Sequence, residues 1–228
     1  EGKVVGSSPK TNAPHEDIWS PQLSRSEFCA TCHQLTWPGA DQPYYDTVGE
    51  WQRSQYQNAG IQCQDCHMRP GAGEIRPGSD HGFAIDAARA VSLLIDMDRV
   101  DIVRGGDPLK VTLTLQNTGA GHSFPTGNPW RGIRLEASLA GIDSKGKPFV
   151  ESPFVVDLVR ILEKEPPWRT SSDTRLLAGD QRSWTTELVL GQNAPSDHWD
   201  LVVSLQETMS GEPAGEPILL RRIPLRVD

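Results

Sequence analysis

The chain has few of the residues that would mark several large classes of function. Its 22 Lys and Arg are outnumbered by 30 Asp and Glu, a formal net charge of −8, whereas nucleic-acid binding needs clustered basic side chains and is not expected here. No apolar run approaches the about 20 residues of a membrane-spanning helix, so we expect no transmembrane segment. The start, Glu1-Gly2-Lys3, has no apolar signal region, and a secreted protein also looks like this once its signal peptide is removed.

Cysteine is scarce as well, and its distribution divides the chain. All four cysteines lie in residues 1–88, together with four of the six histidines, His15, His33, His67 and His81. This part has no sustained strand pattern, and it predicts one short helix over Thr47–Asn58. A segment so poor in core residues usually needs disulfides, a metal or another staple to fold.

Residues 89–228 have the opposite character. In Val111–Leu115, Val and Leu alternate with Thr, which is the period of a half-buried strand. Strands are also predicted at Val91–Met97, Ile133–Leu139, Phe154–Leu162, Trp184–Leu190, Leu201–Leu205 and Ile218–Val227. Regular short strands separated by turn residues and without helices between them are typical of an antiparallel, immunoglobulin-like β-sandwich.

Every cysteine belongs to one of two copies of a single motif, Cys29-Ala30-Thr31-Cys32-His33 and Cys63-Gln64-Asp65-Cys66-His67. On a helical turn, residues at i, i+3 and i+4 share a face. Two thiols can then form thioethers with the vinyl groups of one haem while the histidine reaches the iron, so the motif predicts haem c attachment. We therefore expect two haems c, with Cys29, Cys32, Cys63 and Cys66 as attachment residues and His33 and His67 as proximal ligands.

Other uses of four cysteines were weighed against this one. A four-thiolate zinc site is an alternative, but the gap from Cys32 to Cys63 exceeds the usual zinc-ribbon spacing. A disulfide framework suits a secreted chain, and a thioredoxin-like motif would need a βαβ context. Neither zinc nor disulfides gives a reason for a histidine directly after each pair.

Each iron also offers a sixth position. His81 and His122 are the preferred distal ligands, because each lies in a glycine-containing loop, and His15 is the competing candidate. His198 is expected to be structural. Methionine ligation by Met68, Met97 or Met209 is the less favoured option. Haem would also supply the missing core, against which nearby aromatic and leucine side chains pack, namely Trp19, Phe28, Leu35, Trp37, Tyr44, Tyr45, Trp51, Tyr56 and Phe83.

These motifs, with Asp80-His81-Gly82-Phe83 and Gly121-His122-Ser123-Phe124-Pro125-Thr126-Gly127, resemble bacterial multihaem c-type cytochromes. The resemblance implies bis-histidine haems that pass electrons in the periplasm or outside the cell. The expected fold is α+β overall: a small, mostly irregular or helical dihaem cytochrome c domain at 1–88, then an all-β sandwich at 89–228.

The expected function is electron transfer, as a carrier or as a subunit of a larger respiratory or extracellular assembly, and not catalysis. Its partners would be redox proteins or other cytochrome subunits, with assembly through the sandwich. Covalent haem attachment implies maturation outside the cytoplasm. The alternative is a dihaem peroxidase or small-molecule reductase with one open iron and Glu50, Asp65 or Asp80 as acid–base groups.

Overall fold

The computed structural model of the chain describes residues 3–7, 16–68, 87–102, 104–143, 145–194 and 198–227. The candidate ligands His15 and His81, together with Asp80 and Phe83, lie outside these ranges. Within them the helices are short: α1 (Ser26–His33), α2 (Thr47–Gln52), α3 (Gln55–Asn58) and α4 (Cys63–His67), with 3-10 turns at Pro21–Ser24 and Ala87–Arg89.

Strands make up the largest share of the described structure. In chain order they are β1 (Val4–Gly6), β2 (Asp17–Trp19), β3 (Gln34–Thr36), β4 (Pro43–Asp46), β5 (Val91–Met97), β6 (Asp101–Ile102), β7 (Leu109–Asn117), β8 (Arg131–Ile142), β9 (Pro148–Leu158), β10 (Arg160–Leu162), β11 (Thr170–Asp173), β12 (Gln181–Leu188), β13 (Trp199–Met209), β14 (Glu212–Pro213) and β15 (Leu219–Val227).

Two sheets of the later residues enclose the main core. One has the order β12-β7-β5, and the other has the order β6-β15-β13-β8-β9, with β14 on β13. Alternate residues of β7 are fully buried, including Leu113 and Leu115, and they join Leu135, Leu201 and Leu205 of the other sheet in one apolar cluster. The strand positions predicted from the period-2 pattern are confirmed, and β7, β8 and β13 extend beyond the predicted bounds. The single strand predicted at Phe154–Leu162 is divided between β9 and β10.

The fold class predicted for the whole chain is wrong in its first part. Residues 3–7 and 16–68 do not form a helical domain, because the parallel pair β1-β2 and the antiparallel hairpin β3-β4 lie among four helices of at most eight residues. The hairpin follows α1 directly and reverses at Gly39, whose φ of 80° is readily adopted only by glycine. The molecule is therefore predominantly β, and only the all-β expectation for the later residues is compatible with it.

The predicted helix over Thr47–Asn58 is present but divided. Ser54 ends one segment and starts the next, since its hydroxyl donates to the carbonyl of Trp51 (2.7 Å) and accepts from the N–H of Tyr56 (3.2 Å). A serine that caps a helix N-terminus in this way separates α2 from α3. The boundary predicted near residue 88 is not tested, and it stays a prediction.

Candidate functional site

Both cysteine motifs lie on short helices, as their spacing predicts. Cys29, Cys32 and His33 occupy the second half of α1, and Cys63, Cys66 and His67 make up most of α4. No disulfide joins the cysteines; Cys32 and Cys66 are exposed, and Cys29 and Cys63 are half-buried. Each helix therefore presents two thiols and one imidazole within a single turn or two, the arrangement that the attachment of haem c requires.

The N-termini of the two helices are tied to each other. The hydroxyl of Ser26, fully buried at the start of α1, accepts from the N–H of Cys63 (2.9 Å), while the side-chain carbonyl of Gln62 accepts from the N–H of Ser26 (2.8 Å). Asp65 closes a capping box on Gln62. These bonds satisfy helix-end donors and fix the two motifs side by side.

The cysteine side chains meet where the helices are joined. Cys29 and Cys63 are close neighbours, near enough for Cys63 to affect the titration of the Cys29 thiol. Burial is the main reason why the pKa of Cys29 is raised to about 11, and the neighbouring Cys63 raises it further. At neutral pH this thiol is protonated, as is typical of a cysteine that is not activated as a nucleophile.

His122 lies on the loop that follows β7, and Asn117, the last residue of that strand, holds this loop in place. The buried Asn117 amide donates to the carbonyl of His122 (2.8 Å) and accepts from the N–H of Ala120 (3.1 Å). Gly121 passes so close to α2 and α3 that an added Cβ would lie 3.2 Å from Cγ of Tyr56. The loop is thus packed directly onto the cysteine-bearing part of the chain.

The imidazole of His122 faces that of His67. The two ring centres are 6.1 Å apart and the ring planes differ by 23°. Nδ1 of His122 donates to the carbonyl of Ser123 (2.9 Å), which leaves Nε2 with its lone pair. Burial lowers the pKa of His122, so the ring is held neutral, the form that binds a metal.

This separation fits one iron between two imidazoles. A metal–nitrogen bond of about 2 Å on each side, plus about 1.1 Å from each nitrogen to its ring centre, puts two trans imidazoles about 6 Å apart. The donor set also fits, because a haem brings its own four nitrogens and takes only axial ligands from the protein. The pairing of His122 with His67 was not predicted from the sequence, which left the partner of each distal histidine open.

Glu50, the acid–base candidate of the enzyme alternative, is buried. Its side chain is only 4% exposed, and its Oε1 is paired with Nη1 of Arg175, itself 8% exposed, at 2.8 Å. Its other oxygen accepts from the N–H of Ser123 (3.1 Å) and the hydroxyl of Thr126 (2.6 Å). No local pattern identifies such a residue, since its partners are far away in sequence.

Further contacts attach the first part of the chain to the later strands. Arg160 donates to the carbonyls of Tyr44 (3.1 Å) and Pro43 (2.6 Å), and the hydroxyl of Tyr56 donates to the carbonyl of Thr118 (2.9 Å). The His122 loop is also held from behind, where Phe124 and Leu176 exchange two backbone hydrogen bonds. His122 therefore sits on a rigid support.

The remaining sequence candidates lie elsewhere. Met97 is in β5 and Met209 in β13, while Met68 follows His67 directly. His198 precedes β13. Of the residues expected to pack against haem, Trp51 is buried, whereas Trp19 and Phe28 are exposed by 54% and 55% and Trp37 by 41%. Phe28 adjoins Cys29 in α1, so its exposure would be reduced by an apolar body bound at that motif.

Metal sites made of protein groups alone are absent from the described part of the chain. No group of three or more His, Cys, Asp or Glu side chains is placed there to hold an ion. This finding removes the four-thiolate zinc alternative for the described cysteines, since such a site needs all four thiols around one metal. None of the helices described is long and apolar enough to cross a membrane.

The comparisons with known proteins give no relative. No family model and no curated protein matches the chain. One similar solved structure is AvmM, which catalyses macrocyclization in alchivemycin A biosynthesis, at 12% identity over 61% of this chain and 89% of that chain, with a TM-score of 0.36. Another is the Pseudomonas fluorescens alkylpurine DNA glycosylase AlkC, at 16% identity over 60% of this chain and 30% of that chain, with a TM-score of 0.33. A structural-genomics target, SoR45, is similar at 12% identity over 59% of this chain and 85% of that chain, with a TM-score of 0.30.

The family assignment made from the motifs is corrected accordingly. The chain matches no cytochrome family, its described residues are mostly strands, and they contain no metal-holding cluster. The assignment of the chain to the multihaem c-type cytochromes is therefore wrong, and a haem or cytochrome description of it has no support from these findings.

Proposed function

We propose that the chain binds two haems c through its two cysteine motifs and transfers electrons. The observation that carries this proposal is the neighbouring pair His67 and His122, whose ring centres lie 6.1 Å apart, a separation that suits one iron bound to both rings. When bound, a haem c supplies an iron that accepts and releases single electrons. Cys63 and Cys66 would hold the group beside this pair, and Cys29 and Cys32 would hold the other beside His33.

The protein's own residues determine what such a site can do. If His67 and His122 both bind one haem iron, that iron would have no open place for a substrate, which favours electron transfer over catalysis. The carbonyl of Ser123 fixes the tautomer of His122, and the packing of Gly121 on Tyr56 fixes where the ring is. Thioether formation implies a periplasmic or extracellular location, and redox proteins or other haem-bearing subunits are the proposed partners.

The test is expression with the machinery that attaches haem c, followed by intact mass and a reduced pyridine haemochrome spectrum. Two covalent haems are expected. Cys29→Ala/Cys32→Ala and Cys63→Ala/Cys66→Ala should each retain one, while Met97→Leu, a control away from the motifs, should retain two. A wild-type chain without covalent haem would disprove the proposal. Cyanide binding to a high-spin ferric iron in the wild type would instead support the peroxidase or reductase alternative.

One contact favours a second function. Because the N–H of Cys63 is bonded to Ser26 of α1 (2.9 Å) and Cys63 is a close neighbour of Cys29, we also propose, as the competing function, a reversible disulfide between α1 and α4. Its formation removes two hydrogens and passes two electrons to an external oxidant such as a protein disulfide. The same mass measurement separates the two functions, since this pair shows a loss of two hydrogens and no added haem.

A further inference from the structure

The buried ion pair of Glu50 and Arg175 surrounds the segment that bears His122. Glu50 binds Ser123 and Thr126, one and four residues after His122, and the guanidinium of Arg175 donates to the carbonyl of Pro125 (3.2 Å) as well. Arg175 is in turn paired with Asp173 at 2.7 Å. Three of the four residues that follow His122 are thus held by this one pair of charges.

Stability alone is a weak reason for such a pair. Removing two charges from water costs about as much as their attraction returns, and apolar replacements of buried pairs are often no less stable. The pair does, however, place two opposite charges beside an imidazole. The carboxylate of Glu50 binds the N–H of Ser123, the residue directly after His122, and the guanidinium of Arg175 binds the carbonyl of Pro125. Both charges are therefore in contact with the backbone segment that bears this ring.

We propose that Glu50 is a positioning residue for His122, and that its charge sets the reduction potential of the iron held between His67 and His122. This inference rests on the proposed haem function. The carboxylate acts in two separable ways: its oxygens hold the N–H of Ser123 and the hydroxyl of Thr126, and its negative charge favours the more positive ferric state. The second action is stronger in a buried site than in water.

Two variants separate these actions. Glu50→Ala removes the acceptors and should let cyanide displace His122 at least tenfold faster, with a partly high-spin ferric spectrum. Glu50→Gln keeps an acceptor for Ser123 and Thr126, so it should restore slow displacement and the low-spin spectrum. Because Gln lacks the charge, the potential should rise by on the order of 59 mV, a tenfold change in the ferric-to-ferrous ratio.

The number of covalent haems in the wild type is measured first. Ligand exchange and reduction potential are then measured on chains that carry both haems and on the two double-cysteine variants that carry one haem each. The haem beside His33 should keep its potential and its ligand exchange. Asp200→Ala, which breaks an exposed pair with Arg222, should change neither haem.

Loss of haem from the wild type would overturn the proposed function. Unchanged exchange and potential in both variants, or equal changes at both haems, would overturn this inference alone. If Glu50→Ala does not fold, the potential of Glu50→Gln decides, and an unshifted potential contradicts the inference.

Discussion

Cys29 has a different environment from the exposed cysteines of the same motifs. Its thiol is half-buried against Cys63, and its pKa is about 11. Thiolate is the reactive form, so at pH 8 only about a thousandth of Cys29 is reactive, by the difference between pH and pKa.

In reduced, haem-free protein we therefore expect iodoacetamide to modify the exposed Cys32 and Cys66 well before Cys29. The rate at Cys29 should rise as the pH is brought towards 11. Peptide mass spectrometry at successive times measures the order of modification. Equal rates at Cys29 and Cys66 at pH 8 would contradict the buried environment. The haem-loaded protein is the control, and none of its motif cysteines should react.

The pairing of α1 with α4 is the main relation between elements at the site. Ser26 accepts from the N–H of Cys63 and donates its own N–H to Gln62, and the side chain of Gln64 donates to the carbonyls of Leu23 (3.1 Å) and Arg25 (2.8 Å). Neither helix is long enough to be stable alone. The contacts between α1 and α4 therefore have to stabilise both helices, because their local helix propensity is not sufficient.

Ser26→Ala removes one of these contacts and leaves the N–H of Cys63 without its acceptor. We expect a loss of about 1–2 kcal/mol in the free energy of unfolding, the usual cost of deleting a helix-capping hydroxyl or a buried hydrogen bond. Urea unfolding followed by circular dichroism measures it. Ser20→Ala, which removes a surface bond to Gln22, is the matched control and should cost less than about 0.5 kcal/mol. Equal losses of unfolding free energy in the two variants would show that the buried hydrogen bond contributes no more to stability than the surface one.

Over the whole molecule, apolar burial is uneven. Every member of the main buried cluster lies between Val91 and Leu225, and among the described residues before 87 only Val48 and Trp51 are buried hydrophobics. Since apolar burial is the dominant favourable term in folding, the two parts should differ in their ability to fold alone.

A fragment of residues 89–228 is expected to unfold cooperatively by itself, whereas residues 1–88 without haem should show no cooperative transition. Thermal scans by circular dichroism compare the fragments with the full chain. The 89–228 fragment should melt below the full chain, because it leaves Arg175 without Glu50. A cooperative transition in haem-free 1–88 would contradict this account.

Part of this fold was accessible from local pattern. The period-2 alternation located the strands of the later residues, because a strand with one buried face must alternate. The hairpin β3-β4 was not predicted, since three- and four-residue strands containing Pro43 carry no recognisable period. The break between α2 and α3 was missed although Ser54 is a typical N-cap residue.

The placement of both cysteine motifs on short helices was likewise accessible, because the positions of Cys29 to His33 and Cys63 to His67 on one face depend only on spacing within a helical turn. The facing of His67 and His122 was not, and neither was the burial of Glu50. The sequence by itself determined which thiols and imidazoles share a helix face and which strands have an apolar side. The meeting of His67 with His122, and the burial of Glu50 against Arg175, depend on the tertiary structure, because those contacts join residues that are distant in the chain and are made by packing, not by local periodicity.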